Sequence, residues 1–452
     1  MKRKLLATLL AVAMTATLLA GCTQKATTTT ETTKPAAPAT TQASQEATTK
    51  ATDSAAPVTL KVFSNLPDRK TGQGLVEQTM IDNYMKENKN VTITVEALDD
   101  AAYKTKFKAY SIEGMPDVVS IWGQPSFLDE VLAAGVLAPL NEADYKDYGF
   151  ISGSLDGFKK DGVLYGLPRN SDIAAFYYNA KMFEDNGWKV PATYDELIAL
   201  ADTINAKGIA PVAMDGGDGW PLAVYLSDIM VKMNGTYSDI VTNAITKGDF
   251  SDPLFKQATD LLAKTAKAGL FQTGYDTQDY ATAKNLFING QAAMFYMGSW
   301  EASMALDTTI DEAIRTNIKA FTMPAVADGK GTTSICAWNG GGYAVSASSE
   351  VKDEATKFLN YMFKPENLSK IGWENGVGMS AQDETAFMTG SETALQKQFL
   401  DFLKNASNTS GTTVNDRGAS AFKTSIESEI QSVCNGTVTS DKFLAAIGAA
   451  SK

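Results

Sequence analysis

The chain has 452 residues, 44% of them hydrophobic and 20% charged, and a formal net charge of −12. That length allows two or three domains, the composition is ordinary for a globular protein, and the acidic balance repels phosphate backbones, so no nucleic acid partner is expected. Histidine is absent, which excludes Ser-His-Asp and Cys-His catalysis, the His-Glu zinc motifs and any imidazole shuttle.

Lys2, Arg3 and Lys4 precede an apolar run, Leu5 to Leu19. The run is short for a membrane span and closes on small residues, as a cleaved signal does. Leu19-Ala20-Gly21-Cys22 resembles the lipobox of bacterial lipoproteins, which implies that Cys22 is acylated and begins the mature chain. Two acyl chains suffice for stable attachment at the outer face of the cell membrane. Residues 23–57 contain no Val, Ile, Leu, Met or aromatic residue. With nothing to bury, they read as a disordered tether with a reach of about 30–35 Å.

The body opens with Val58–Phe63, whose two-residue alternation marks a strand. A helix follows over Leu75–Asn88 with Val76, Met80 and Tyr84 inward, then a second alternating strand, Val91–Val95. Strand, helix and strand at this spacing form a βαβ unit and imply a parallel sheet. Gly72-Gln73-Gly74 is not a dinucleotide fingerprint, because Glu77 occupies the third glycine position. A helix over Ala102–Ile112, a strand over Asp117–Trp122 and a helix over Phe127–Ala134 continue the pattern. Tyr165–Asn170 is extended and Phe176–Asn179 is a strand. Thr193 and Glu196 form a capping box for a helix to Ala206. Ala210–Met214 is a short strand, and Asp252-Pro253 starts a helix that Gly269 ends.

The stretch Ala281–Trp300 combines a helix closed by Asn289-Gly290 with a buried strand over Ala292–Tyr296. Gly298-Ser299 then leaves Trp300 at the strand's carboxyl end, where ligands sit in open α/β sheets. Ala320–Pro324 is a strand end. Trp338–Val345 is a glycine-rich turn entering a strand, and its glycines permit a close backbone approach. Helices are expected over Val351–Phe363, Pro365–Glu374, Leu395–Asn405, Ala419–Val433 and Asp441–Ile447.

Four segments in order resemble the family 1 extracellular solute-binding proteins, the carbohydrate-binding lipoproteins of bacterial ABC importers. They are Glu113–Val118; Tyr165–Pro168 with Tyr177-Tyr178-Asn179 and the Thr193 capping box; Phe287, Gly290, Ala293 and Met294 with Gly298-Ser299-Trp300; and Gly340-Gly341-Gly342 with Ala355, Phe358 and Leu359. Where the family often has Leu-Pro after Gly376-Val377-Gly378, this chain has Met379-Ser380, which leaves that loop's shape open. The resemblance covers nearly all of Val58 to the end. It implies a two-lobed, periplasmic-binding-protein-like (type II) α/β fold that closes at a hinge, with ligand between the lobes. It places crossings near Arg169–Asp172, Ile318 and Asn367–Ile371. One lobe would then comprise 58–170 and 318–368, the other 171–317 and 369–452. The implied function is capture of a sugar or oligosaccharide by a monomer that serves a membrane permease, with no cofactor or metal.

A pyranose has an apolar face suited to aromatic rings and a hydroxyl edge suited to planar polar groups. Trp220, Trp300 and Trp338, then Trp122, are the expected walls, since each lies where a turn meets a strand end. Trp188 and Trp373 fall within helical patterns and read as structural. The expected hydroxyl contacts are Asn65, Gln124, Asp172, Asp215, Glu301, Asn339 and Asn415; the resemblance favours Asn65, Asp172 and Asn415. Arg169 and Arg417 are read as pairing with cleft carboxylates. Asp215-Gly-Gly-Asp-Gly lacks the bidentate Glu of a calcium loop and reads as a turn. Spacing does not decide whether Cys336 and Cys434 pair. Two alternatives to sugar capture remain. One is binding of a peptide or polyamine, or presentation of a ligand to a sensor. The other is a glycosidase with two carboxylates at a set separation. No phosphate-binding loop, Gly-x-Ser-x-Gly or Cys-x-x-Cys supports catalysis.

Overall fold

The computed structural model describes residues 56–452. The leader, Cys22 and the tether up to residue 55 lie outside the described residues. In chain order the strands are β1 (Val58–Ser64), β2 (Val91–Ala97), β3 (Val118–Trp122), β4 (Lys159–Lys160), β5 (Val163–Leu164), β6 (Leu167–Pro168), β7 (Ser171–Asn179), β8 (Ala210–Ala213), β9 (Ala292–Gly298), β10 (Ile318–Phe321), β11 (Ala337–Asn339) and β12 (Gly341–Val345).

Ten of them form two five-stranded sheets, and β4 and β5 pair with each other alone. The first runs β2-β1-β3-β12-β6, and the second β10-β7-β9-β8 with β11 also on β7. β1 pairs in parallel with β2 and β3, as a βαβ unit requires. The intervening helix, Gly72–Glu87, buries Val76, Met80 and Tyr84 against the first sheet. The second sheet is covered on both faces. Along β7, Phe176 packs with Tyr225 and Tyr296 on one side, and Ala175 and Tyr177 pack with Phe295 and Phe399 on the other. That two-sided burial explains the unbroken apolar run in the sequence.

Two local signals in the sequence have the expected geometry. Thr193 and Glu196 form both bonds of a capping box, and Asp252 caps the helix Pro253–Lys267. The helix Trp220–Asn234 was not legible. Every residue from Pro221 to Lys232 is buried, so no polar face exists to impose a 3.6-residue period.

Three segments connect the lobes side by side. Gly340 N–H donates to Asn170 O at 2.8 Å, Arg169 N–H to Gly341 O at 2.9 Å and Ser171 N–H to Met379 O at 2.8 Å. Two expected crossings are thereby corrected. β10 pairs antiparallel with β7, Ile318 opposite Asn179, so the chain stays in the second lobe at Ile318 and returns only at Gly340. The polarity change at Ile318 marks an outer strand with one exposed position, Lys319. The last crossing lies beyond Asp383 instead of at Asn367–Ile371: Leu368, Ile371 and Val377 pack in the first core, Met379 touches the second, Gln382 and Asp383 still bond Tyr148, Phe363 and Gly149 of the first lobe, and Leu395 and Phe399 pack in the second core. Cys336 and Cys434 are both free and buried. Among the described residues no helix is long and apolar enough to cross a membrane.

Candidate functional site

The strands of both sheets deliver polar and aromatic residues at their carboxyl ends, where α/β sheets bind ligands. β1 ends before Asn65, β3 on Trp122, β8 before Asp215, β9 before Trp300 and β11 on Asn339. Trp122, Trp220, Trp300 and Trp338 are half-buried, whereas Trp188 and Trp373 are only 9% and 4% exposed.

Three of the indoles meet. Trp220 and Trp300 have ring centroids 6.0 Å apart, and Trp300 and Trp338 6.1 Å. Tyr280 joins them, 6.5 Å from Trp220 and nearly parallel to it. Trp300 Nε1–H donates to Tyr280 Oη at 2.8 Å, and Tyr280 in turn donates to Glu301 Oε1. Lys284 holds Glu301 Oε2 at 2.8 Å. Glu301 thereby orients the indole through Tyr280. Trp122 stands in the first lobe, edge-on to Tyr103 and Phe127, with Lys104 Nζ 4.8 Å from its ring centroid.

The other expected contacts divide into frame and free acceptors. Asn65 Oδ1 accepts from Arg169 Nη1 at 3.1 Å, and Gln124 Nε2 donates to Asn339 O at 3.0 Å. The Asn339 side chain is bonded to Ser171 and Ser154. Asp172 is 3% exposed and accepts from Asn170. A Cβ on Gly340 would come within 2.0 Å of Asp172 Oδ2, so this glycine seats the second crossing on a buried carboxyl. Burial lifts the Asp172 pKa to about 7, against the Asn170 bond and the Arg169 charge.

Asp215 is fully buried. Its Oδ1 accepts from Asp218 N–H at 3.1 Å, and its Oδ2 has no partner. Burial, then the Asp218 charge, raises its pKa to about 8. Asn415 is 1% exposed; its Nδ2 donates to Glu427 at 2.8 Å and its Oδ1 is also unpartnered. Glu427 links the two loops, since Gly219 abuts its backbone. Both arginines find neutral partners, which corrects the expected carboxylate pairing. Arg169 bonds Gln73 and Asn65, and Arg417 bonds Ser238 and Ser410.

The rims touch across the cleft. Ser126 Oγ on the first-lobe helix Pro125–Ala133 donates to Asp416 Oδ1 at 2.5 Å. Lys423 pairs with Asp416 at 2.6 Å and with Glu427 at 2.8 Å. Ser126, Tyr280, Lys284, Asp416 and Lys423 were not legible as functional, because each acts through a residue remote in sequence or on another lobe.

Two sheets joined by three adjacent crossings, with an aromatic platform on one side and a latched rim on the other, define a solute-binding protein that encloses its ligand. The chain belongs to the bacterial extracellular solute-binding proteins, whose family profile matches residues 79–374. It is 26% identical over 324 residues to the multiple sugar-binding protein of Streptococcus mutans, covering 69% of this chain and 73% of that one. A solved protein of xylan utilization in Caldanaerobius polysaccharolyticus has a TM-score of 0.78 at 25% identity, over 87% of this chain and 99% of that one. A chitin oligosaccharide binding protein has a TM-score of 0.76 at 23% identity, over 87% and 98% of the two chains.

Proposed function

We propose that the chain captures a sugar or oligosaccharide between its lobes and presents it, chemically unchanged, to the permease of an ABC importer. The observation that carries this reading is the contact of Trp220, Trp300 and Trp338 beside loops whose buried polar atoms, Asp215 Oδ2 and Asn415 Oδ1, lack hydrogen-bond partners. Indole faces suit the apolar side of a pyranose, and its hydroxyls, which donate and accept, are the partners that such oxygens lack. Trp122 serves as the facing wall, and Asn65, Gln124, Asp172, Glu301 and Asn339 hold the frame. The lobes comprise 58–168 with 341–383, and 171–339 with 394–452. Catalysis is disfavoured because Glu301 and Asp172 are committed to protein partners. Calorimetry of the soluble chain against xylo-, chito- and malto-oligosaccharides tests the reading; saturable binding with the sugar recovered intact supports it, and shortened products contradict it.

The chain is further read as a monomer anchored outside the cell through acylated Cys22. Incorporation of labelled palmitate into the wild type, and its loss in Cys22→Ala, is the expected result; equal labelling of both would remove the anchor.

A further inference from the structure

The turn that carries Trp300 is held by both lobes. It is a short helical stretch, Ser299–Ala305, in which Ser299, Ala302, Ser303 and Met304 are buried. Its own lobe fixes the start. Ile173 N–H donates to Ser299 Oγ at 3.1 Å, and Tyr177 Oη donates to Gly298 O at 2.8 Å. The Trp300 ring folds back over Gly298, where a Cβ would come within 1.9 Å of Trp300 Cζ3. Only a glycine leaves room for the ring there.

The other side of the same turn faces the first lobe. A Cβ on Gly72 would stand 3.1 Å from Ser303 Oγ, and one on Gly376 would stand 3.5 Å from Ser303 Cα and 2.9 Å from Leu306 Cδ1. Gly72 opens the helix Gly72–Glu87, and Gly376 follows the helix Leu368–Glu374. Both helices pack in the first core, through Val76 and Met80 and through Leu368 and Ile371. Both glycines have positive φ, +56° and +74°, a region that favours glycine, and each presents bare backbone to the opposite lobe. Neither lies on a crossing, so this is a contact between two bodies and not part of the chain's passage from one to the other.

Ser303 lies one turn of helix beyond the indole, so the two backbones move together. The bond from Trp300 Nε1 to Tyr280 fixes one edge of the ring, and the seat of the turn fixes the rest. A small side chain at Ser303 lets the turn settle between the two glycines, and a longer one would push it out.

We propose that Ser303 is a positioning residue for sugar capture: seated against Gly72 and Gly376, it lets the first lobe set the orientation of Trp300 toward Trp220 and Trp338. The aromatic platform is then a product of both lobes, although its rings belong to the second. The inference rests on the reading of Trp300 as a sugar platform, but its first test needs no sugar.

Indoles 6.0 and 6.1 Å apart couple excitonically, and far-ultraviolet circular dichroism records the coupling as a couplet that depends on the angle between the rings. The purified full chain is compared with Trp300→Phe, which sets the baseline. Ser303→Leu overfills the seat and should lose about half of the couplet or more, whereas Ser303→Ala should keep it. Gly72→Ala, a change in the first lobe alone, should also diminish the couplet, and adding Ser303→Ala, which removes the atom it meets, should restore it. A merely structural role would lower the melting temperature of these variants without moving the couplet. An unchanged couplet in Ser303→Leu overturns the inference. If that variant does not fold, an unchanged couplet in Gly72→Ala does so, as does a double variant no closer to the parent than Gly72→Ala.

Calorimetry against xylo-, chito- and malto-oligosaccharides then separates this inference from the proposed function. For a sugar that binds the parent, Ser303→Leu should weaken binding about tenfold, and adding it to Trp300→Ala should cost nothing further, because both act through one ring. Losses that add would overturn the inference and leave sugar capture standing. A couplet that responds as expected in a chain that binds no sugar would leave the seat standing and remove the proposed ligand.

Discussion

Trp300 donates its indole N–H to the Tyr280 hydroxyl at 2.8 Å, across 20 residues of sequence. The same hydroxyl donates to Glu301, which Lys284 holds in place. A preorganised ring loses little freedom when a ligand settles on it. Removing the hydroxyl by Tyr280→Phe leaves Trp300 Nε1 without its partner and should cost about 1–3 kcal/mol of stability. Urea unfolding followed by indole fluorescence measures it; an unchanged midpoint would mean that the chain does not hold the ring.

Trp300→Ala removes the central ring of the cluster. Stacking worth about 1.5 kcal/mol or more translates into a tenfold or greater loss of affinity for the bound sugar. Trp188→Phe, at a buried site in the second core, should leave affinity unchanged. Calorimetry of the two variants checks both, and equal losses would place the effect in folding instead of in contact.

The Ser126–Asp416 bond closes the far rim. Asp416 is half-buried, and its desolvation raises its pKa, but Lys423 and Ser126 outweigh that and hold it below the usual value. Asp416→Asn weakens the charge-assisted bond to Ser126 and the pair with Lys423, while Lys423 retains Glu427. An affinity loss of about three- to tenfold, with a faster dissociation rate, is expected from a bond of this kind. An unaltered off-rate in stopped-flow fluorescence would show that the rim contact is incidental.

Gly340 lies against Asp172 and Asn170 where two crossings bond. A Cβ would come within 2.0 Å of Asp172 Oδ2 and 2.5 Å of Asn170 Nδ2. Gly340→Ala forces the crossings apart and should destabilise the chain by about 1–3 kcal/mol, as overpacking does. Gly114→Ala has open space for its Cβ, and its cost is backbone strain alone, at φ 122°. Thermal unfolding of the two tells clash from conformation, and a smaller loss at Gly340 would contradict the close approach.

Stability should fall as pH rises from about 4 to about 8. Asp172 and Asp228 are raised to about 7, and Asp215 to about 8, each first by burial. Their unfolded values lie near 4, so folding takes up protons between those limits. The contribution is complete below pH 4 and is lost as pH rises through 7 to 8. Calorimetric melting should give a higher Tm at pH 5.5 than at pH 8.5, and the reverse order would mean that these carboxyls stay ionised.

The parts of this fold that were legible are those whose signals are local. Val76, Met80 and Tyr84 share a helix face, and Thr193 and Glu196 lie one turn apart, so sequence spacing alone encodes their contacts. The division of the tryptophans was legible for the same reason: loop-end indoles are half-buried, and those within helical patterns are in the cores. What escaped is non-local. Trp220 begins a helix that has no polar face to betray it. The Ile318 strand reads the same whichever sheet receives it, and only its pairing with Asn179 decides. The hold of Tyr280 and Lys284 on Glu301 spans about a turn of helix and a whole strand, and Ser126 and Asp416 stand 290 residues apart. Met379 gives no sign in its side chain of the left-handed backbone it adopts.

The central claim is that the cleft binds a sugar and leaves it whole. The most direct measurement is tryptophan fluorescence with calorimetry of the purified chain against a panel of oligosaccharides, followed by product analysis of each mixture. Saturable binding of one sugar class at micromolar or lower concentration, abolished or weakened tenfold by Trp300→Ala, with every sugar recovered at full length, is the predicted result. Absence of binding across the panel, or recovery of shortened sugars, would contradict it.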